Sequence, residues 1–218
     1  MNQAENMNSI VRAFAEGGFV MYVILVIGVL VSILVIERFM ALKLLRVDKK
    51  EFTDQIFKMI INGDLRQAIS FCDAKSTPLT NTVKSGLVQV MNKRPDEEVQ
   101  VAMDASVLRE MPRLEGFTSF LAVFGNLAVL AGLLGTIIGM IGSFRAVSSA
   151  DPATKAQMLS EGISHALNCT GFGLTIAIVS ILFYGLFQHM IQKSENELLE
   201  TSMSFMNLAA SNRDKLKD

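Results

Sequence analysis

Apolar positions gather into three long uncharged stretches, and charged residues fill the segments around them. Residues 17–36, 116–144 and 162–192 contain no Lys, Arg, Asp or Glu, over 20, 29 and 31 residues. A helix of about 20 predominantly apolar residues crosses a bilayer core, so each stretch predicts a transmembrane helix. Between the first two, Val99, Met103, Val107, Met111 and Leu114 recur at helical spacing. Pro95 followed by Asp96, Glu97 and Glu98 is a helix start, with acidic residues at the positive end of the dipole. The pattern then predicts one helix over residues 96–144, about 70 Å long at 1.5 Å per residue, kinked at Pro112. Upstream, Asp64 with Gln67 three residues on resembles a capping box opening LRQAISFCDA, and Pro78 stops that segment. Leu198, Ser202, Phe205 and Ala209 continue the third stretch as an amphipathic helix. No alternating strand pattern and no internal repeat is visible.

The predicted architecture is all-α: an integral membrane protein with three transmembrane helices, two of them long and extending into a cytoplasmic helical bundle around an axis. Residues 1–16, through Ile10, Val11 and Phe14, form an external interfacial helix. Residues 17–36 are the first span, 37–115 a cytoplasmic helical region, and 116–144 the second span. Residues 145–161 are a short periplasmic loop, 162–192 the third span, and 193–218 a cytoplasmic helix. Orientation follows from positive charge. Arg12 alone precedes the first span, whereas Arg38, Lys43, Arg46, Lys49 and Lys50 crowd after it. The amino terminus is therefore expected outside, and the tail with Arg213, Lys215 and Lys217 inside. The start of the chain lacks the basic region of a signal peptide, so the first apolar run reads as a retained membrane helix.

Composition narrows the function classes. The chain has 218 residues, is 50% hydrophobic and 19% charged, and its net charge is −1. Mean hydropathy is +0.39. Near-neutrality without a basic face argues against nucleic-acid binding. Cys72 and Cys169 are too few for a disulfide framework. Cys72 reads as packing on a soluble helix and Cys169 as a small buried residue. His165 and His189 are not spaced as metal ligands, and His189, near the cytoplasmic end of its span, needs no special role. No catalytic residue, metal site or cofactor is expected.

The informative residues lie inside the second and third spans. Gly132, Gly135, Thr136, Gly139, Gly142 and Ser143 fall on one helix face, opposite Leu130, Leu133, Leu134, Ile137, Ile138 and Ile141. Gly162, Ala166, Thr170, Gly173, Ala177 and Ser180 form a matching stripe on the third span. Small residues let helix backbones approach closely, and such faces are common in membranes. Asn168 and the threonines need hydrogen-bond partners in hydrocarbon. A threonine can satisfy itself on its own helix's carbonyl. Alternatively, Thr136 and Thr170 on two small faces suit a narrow polar lumen, and both readings stand. Intramembrane ionisable groups mark proton relays, yet no span holds a carboxylate. His165, near the external entrance, is the one group in the spans able to carry a proton there.

The runs GLLGTIIGM (132–140) and GISHALNCTGFGLTIAI (162–178) resemble spans two and three of the MotA/TolQ/ExbB proton-channel family. GDLRQAISFCDAKSTPL (63–79) and IERFMALKL (36–44) are similar to the ExbB/TolQ pattern, so the resemblance covers nearly the whole chain in order. It implies a homopentameric inner-membrane stator around a dimer of a single-span ExbD/TolR-like protein, whose membrane aspartate enters the lumen. Membrane lipid and an envelope or TonB-like protein are further implied partners. The family threonines that face the aspartate map onto Thr136 and Thr170, with Ser143, His165 and Asn168 along the same pathway. Gly132, Gly135, Gly139, Gly173, Ala166 and Ala177 then form the packing face. Glu37 and Arg38 sit at the cytoplasmic boundary, anchoring the helix or pairing between subunits.

Two positions depart from the pattern. His165 stands where ExbB and TolQ usually have glutamate, and Val129 or Leu130 where a proline precedes the GLLGT run. Histidine ordinarily titrates near 6.5 and glutamate near 4.3. His165 is thus either a pH-sensitive gate or relay, or a neutral imidazole bonded between subunits. The sequence is compatible with three functions in different degree: a proton-driven stator; a non-conducting scaffold whose small faces only pack helices; and a membrane enzyme. The last lacks paired carboxylates, a nucleophile with its base, or a metal cluster.

Overall fold

A computed structural model describes residues 18–45, 49–148 and 150–212, and these form seven α-helices with no strand among them. In chain order they are α1 (Gly18–Leu45), α2 (Lys49–Ile61), α3 (Leu65–Asp73), α4 (Pro78–Met91), α5 (Asp96–Glu115), α6 (Thr118–Ser148) and α7 (Lys155–Ser211). The expected interfacial helix at 1–16 lies outside the described residues. The three helices long and apolar enough to cross a membrane lie within Gly18–Ile61, Asp96–Ser148 and Lys155–Ser211. Only 28%, 28% and 22% of their most apolar windows are buried within the chain. Most of that apolar surface faces outward, which in water would be severely unfavourable and in lipid is the normal state.

Chain contacts divide the molecule into two compact units. The first comprises the described residues up to Glu37 together with Phe117–Leu186. Its interior includes Val20, Met21 and Ile24 of α1, packed with Cys169 and with Ala131, Phe172 and Ile176. Leu130, Leu133, Leu134, Ile137, Ile138 and Ile141 all point outward. Gly132, Gly135 and Ser143 of the small-residue face are buried, whereas Gly142 is exposed with nothing within 4 Å of a built Cβ.

The second unit comprises Arg38–Gly116 and Phe187–Asp218. Here α2, α3, α4 and α5 pack in sequence order. Phe52, Ile56 and Ile60 of α2 are buried, as are Leu65, Ala68 and Cys72 of α3. Phe52 stacks on Phe71 at 5.9 Å between ring centres. Val99, Met103, Val107 and Leu114 bury the predicted stripe of α5. Leu198, Ser202, Phe205 and Ala209 bury the predicted face of α7. At Gly86 a Cβ would come within 2.6 Å of Met103 Sδ and 2.8 Å of the Phe205 ring, so α4, α5 and α7 meet there.

Local signals set the helix ends. Gly63, at φ +82°, closes α2. Its N–H donates to Ile60 and that of Asp64 to Met59, the paired bonds of a Schellman end. Asp64 precedes α3 as expected, but its side chain makes no cap bond. The capping box lies instead at Thr77 and Thr80, with Pro78 as the first residue of α4. Pro78 thus opens a helix rather than only ending a segment, because its fixed φ and missing N–H suit a first turn.

The expected single helix over 96–144 is two helices, and the break is not at Pro112. Pro112 sits inside α5, and its carbonyl accepts the Gly116 N–H at 2.9 Å. The chain turns at Gly116, with φ 43° and ψ −131°. A Cβ there would collide with the guanidinium of Arg38. The segment expected as a loop at 145–161 is also shorter, since α6 continues to Ser148 and α7 begins at Lys155.

Cys72 is buried, and its thiol is pushed up to about 12 by burial, with Asp73 adding to the effect and Lys84 opposing it. Lys84 is ion-paired with Asp73. A thiol at about 12 is roughly 10⁻⁴ ionised at pH 8, against roughly a tenth at its ordinary value of 9.0. Iodoacetamide at pH 8 should therefore leave Cys72 unmodified in the native full chain and label it after denaturation. Native labelling at the rate of a free thiol would contradict its placement. A thiol whose ionisation is suppressed by folding makes the unfolded chain release its proton first. Stability from this group is thus intact below pH 9 and declines as pH rises from about 9 toward 12.

Candidate functional site

The small faces of α6 and α7 meet each other within one chain. A Cβ at Gly125 would touch Ser180 at 3.3 Å, and one at Gly173 would lie 2.5 Å from the Ala128 carbonyl oxygen. At Gly132 it would lie 3.1 Å from Cys169 O and Thr170 Cα, and at Gly135, 2.6 Å from Cys169 Cβ. At Gly139 it would approach Ala166 and His165 at 3.2 Å, while Ser143 fills the equivalent space at Gly162. As α6 ascends α7 descends, one small pair per turn, so the helices are antiparallel and nearly in backbone contact. Ala166 and Ala177 are buried in this seam. Such proximity gains dispersion and weak polar contacts where no hydrophobic effect operates between helices.

The hydroxyls sort by what they bond. Thr170 is half-buried and donates across the seam to the Gly132 carbonyl at 3.1 Å. Ser180, fully buried, donates to the Leu121 carbonyl of α6 at 2.5 Å. Thr136 is half-buried one turn from Gly132 and donates within its own helix to Leu133 at 2.6 Å. Ser143 likewise donates to Gly139 at 2.7 Å. The seam therefore brings Thr170 into helix contact, and Thr136 stands at its edge. Asn168 is half-buried on α7.

His165 is half-buried where three helices come together, beside Gly139 of α6 and Gly18 of α1, whose Cβ would meet the imidazole at 3.5 Å. It also lines a cleft of about 800 Å³ between α6 and α7. Ser143, Ser160, Glu161 and Ser164 share that cleft. Glu161 was missed because it lies one residue outside the uncharged stretch. Its spacing of four from His165 on a helix that begins at Lys155 was the available signal. Glu37 is half-buried at the end of the first unit. Arg38, 6% exposed, is buried in the second unit against Gly116.

A second unanticipated group is Glu110 on α5, a buried carboxylate. It accepts from Asn81 Nδ2 at 2.7 Å and Arg113 Nη1 at 3.2 Å. The Asn81 bond ties α4 to α5, and the Arg113 bond holds the carboxylate from its own helix. Among the described residues no group of three or more His, Cys, Asp or Glu gathers to hold a metal. The hydroxyls, the imidazole and the carboxylate of the α6–α7 region can exchange hydrogen bonds and protons.

Residues 74–200, which include α4, α5, α6 and most of α7, match the MotA/TolQ/ExbB proton channel family. The chain belongs to this family. An ExbB homolog of Methanothermobacter thermautotrophicus, described as a putative biopolymer transport protein, is 29% identical over 81% of this chain and 62% of its own length. The Tol-Pal system protein TolQ of Pseudomonas aeruginosa is 37% identical over 42% of this chain and 39% of its own. These alignments thus span less than two thirds of either relative. The solved structure of C. jejuni MotAB superposes with a TM-score of 0.63 over 83% of this chain and 71% of that one, at 17% identity, which speaks for the fold. Membership places the chain in a proton channel family, and its long apolar helices suit membrane spans. Thr136, Thr170 and the α6–α7 seam all fall within the matched segment.

Proposed function

We propose that the chain is the pore-forming subunit of a proton-driven stator in the bacterial inner membrane, with its amino terminus periplasmic and its carboxyl terminus cytoplasmic. Five copies surround a dimer of an ExbD/TolR-like single-span protein that brings an aspartate into the lumen. The work is delivered to the envelope as energised outer-membrane uptake, envelope maintenance or gliding. The observation that carries this reading is the pair Thr136 and Thr170, half-buried hydroxyls on the two family-matched span helices.

Neither threonine needs to ionise. With their single protons donated to carbonyls, the hydroxyls can accept from a protonated aspartic acid but have none to give an ionised one, so ionisation loosens the partner helix from the wall. One charge moving through 100 mV releases about 2.3 kcal/mol, comparable to one or two such bonds. Both hydroxyls already have a carbonyl acceptor, and a hydroxyl oxygen keeps lone pairs free to accept from a protonated carboxyl.

Thr136→Ala and Thr170→Ala are expected to abolish potential-driven proton uptake by the native complex, while the amount of assembled complex is unchanged. Thr170→Ser, which keeps the hydroxyl, should retain most flux. Full flux in both alanine variants would remove the threonines from the pathway. A second reading, a non-conducting scaffold, is favoured by the way the glycine and alanine faces close on each other in one chain. It predicts tolerance of Thr→Val at both sites and no dependence on the motive force.

A further inference from the structure

Glu161 and His165 lie four residues apart on α7, so they are offset by about 40° around the helix and about 6 Å along it. Both line the cleft of about 800 Å³, with Ser143 of α6 and Ser160 and Ser164 of α7. A water takes about 30 Å³ in the liquid, so the cleft can hold a hydrogen-bonded chain of them. Gln157, one turn before Glu161, donates its side-chain N–H to Glu161 Oε1 at 3.0 Å and orients the carboxylate. On the other side of His165, Thr170 follows about 7.5 Å farther along the same helix.

Resting on the channel reading above, we infer that Glu161 is the proton-collecting group of this chain, loading His165 from the aqueous phase. The Glu161 carboxylate takes a proton from an external acid and becomes a carboxylic acid. It passes that proton through cleft water to a free imidazole nitrogen, regenerating the carboxylate and forming an imidazolium. The imidazolium then releases a proton inward and is ready for the next. No electrons move, and each group returns to its starting state. Among the described residues, Glu161 and His165 are the titratable groups of the cleft lining; α6 contributes Ser143, and α1 places Gly18 against the imidazole. Arg145 of α6 and Lys155 at the start of α7 lie outside that lining.

The test uses the native complex, purified through a tag on the full chain and reconstituted in liposomes under an imposed potential. Proton uptake is followed with a pH-sensitive dye from external pH 5.5 to 8. Glu161→Gln should slow uptake at pH 8 by about tenfold or more, the lower range of general acid–base effects. At pH 5.5, where protons are plentiful, it should approach wild type. Glu161→Asp should keep most activity, and external imidazole buffer should restore Glu161→Gln at pH 8. Wild-type uptake by Glu161→Gln at every pH, or a deficit that neither acid nor imidazole repairs, overturns the assignment. If the wild-type complex itself carries no protons, the channel reading fails, an outcome distinct from a Glu161→Gln variant that merely behaves like wild type.

Discussion

Gly173→Val should prevent stable accumulation of the protein in membranes. Its Cβ would lie 2.5 Å from the Ala128 carbonyl oxygen, and Gly132 Cα is 3.2 Å away. Both neighbours are backbone, so neither can rotate aside, and relief requires the helices to separate. Separation would cost the seam its remaining close pairs and the Thr170–Gly132 bond. Overpacking a well-fitted core by a methyl or two costs about 1–3 kcal/mol, so Gly173→Ala should already lower thermal stability measurably in detergent. Gly171 and Gly185, on the same helix, have nothing within 4 Å of a built Cβ. Alanine at either should shift stability by less than about 0.5 kcal/mol. Equal tolerance at 171 and 173 would contradict the α6–α7 crossing.

The second large effect is expected at Gly116. At φ 43° and ψ −131° it lies outside the left-handed helical basin, in a region essentially confined to glycine that costs another residue about 1–3 kcal/mol. The Arg38 guanidinium also fills the position its Cβ would take. Gly116→Ala therefore combines backbone strain with displacement of a buried cation, and both act in the same direction. Thermal unfolding of the purified full-length protein should show a drop of several degrees or loss of the folded state. Arg38→Ala alone frees that space, so the double variant should be less destabilised than the sum of the two singles. Strict additivity would mean that Arg38 and Gly116 do not share the contact.

The three spans, the α5 stripe and the start of α5 after Pro95 were legible because they rest on composition and spacing within a few turns. A missing charge over 20 residues or a periodicity of 3.6 needs no knowledge of distant parts of the chain. The small faces were legible as faces for the same reason, whereas what they touch was not. Gly132 meets Thr170 at a sequence separation of 38 and Ser180 reaches Leu121 at one of 59. Such pairs depend on the register of two packed helices, which no local pattern encodes. The break at Gly116 instead of Pro112 has a similar origin, since a proline can be absorbed in a helix while a guanidinium lodged against a glycine marks where the path must turn. Glu161 became part of a cleft, and Glu110 a buried partner of Asn81, only once helices were brought side by side. Helix identity and membrane residence are short-range consequences of hydrophobicity. The polar site is set by which short side chains allow two backbones to approach, and so by packing.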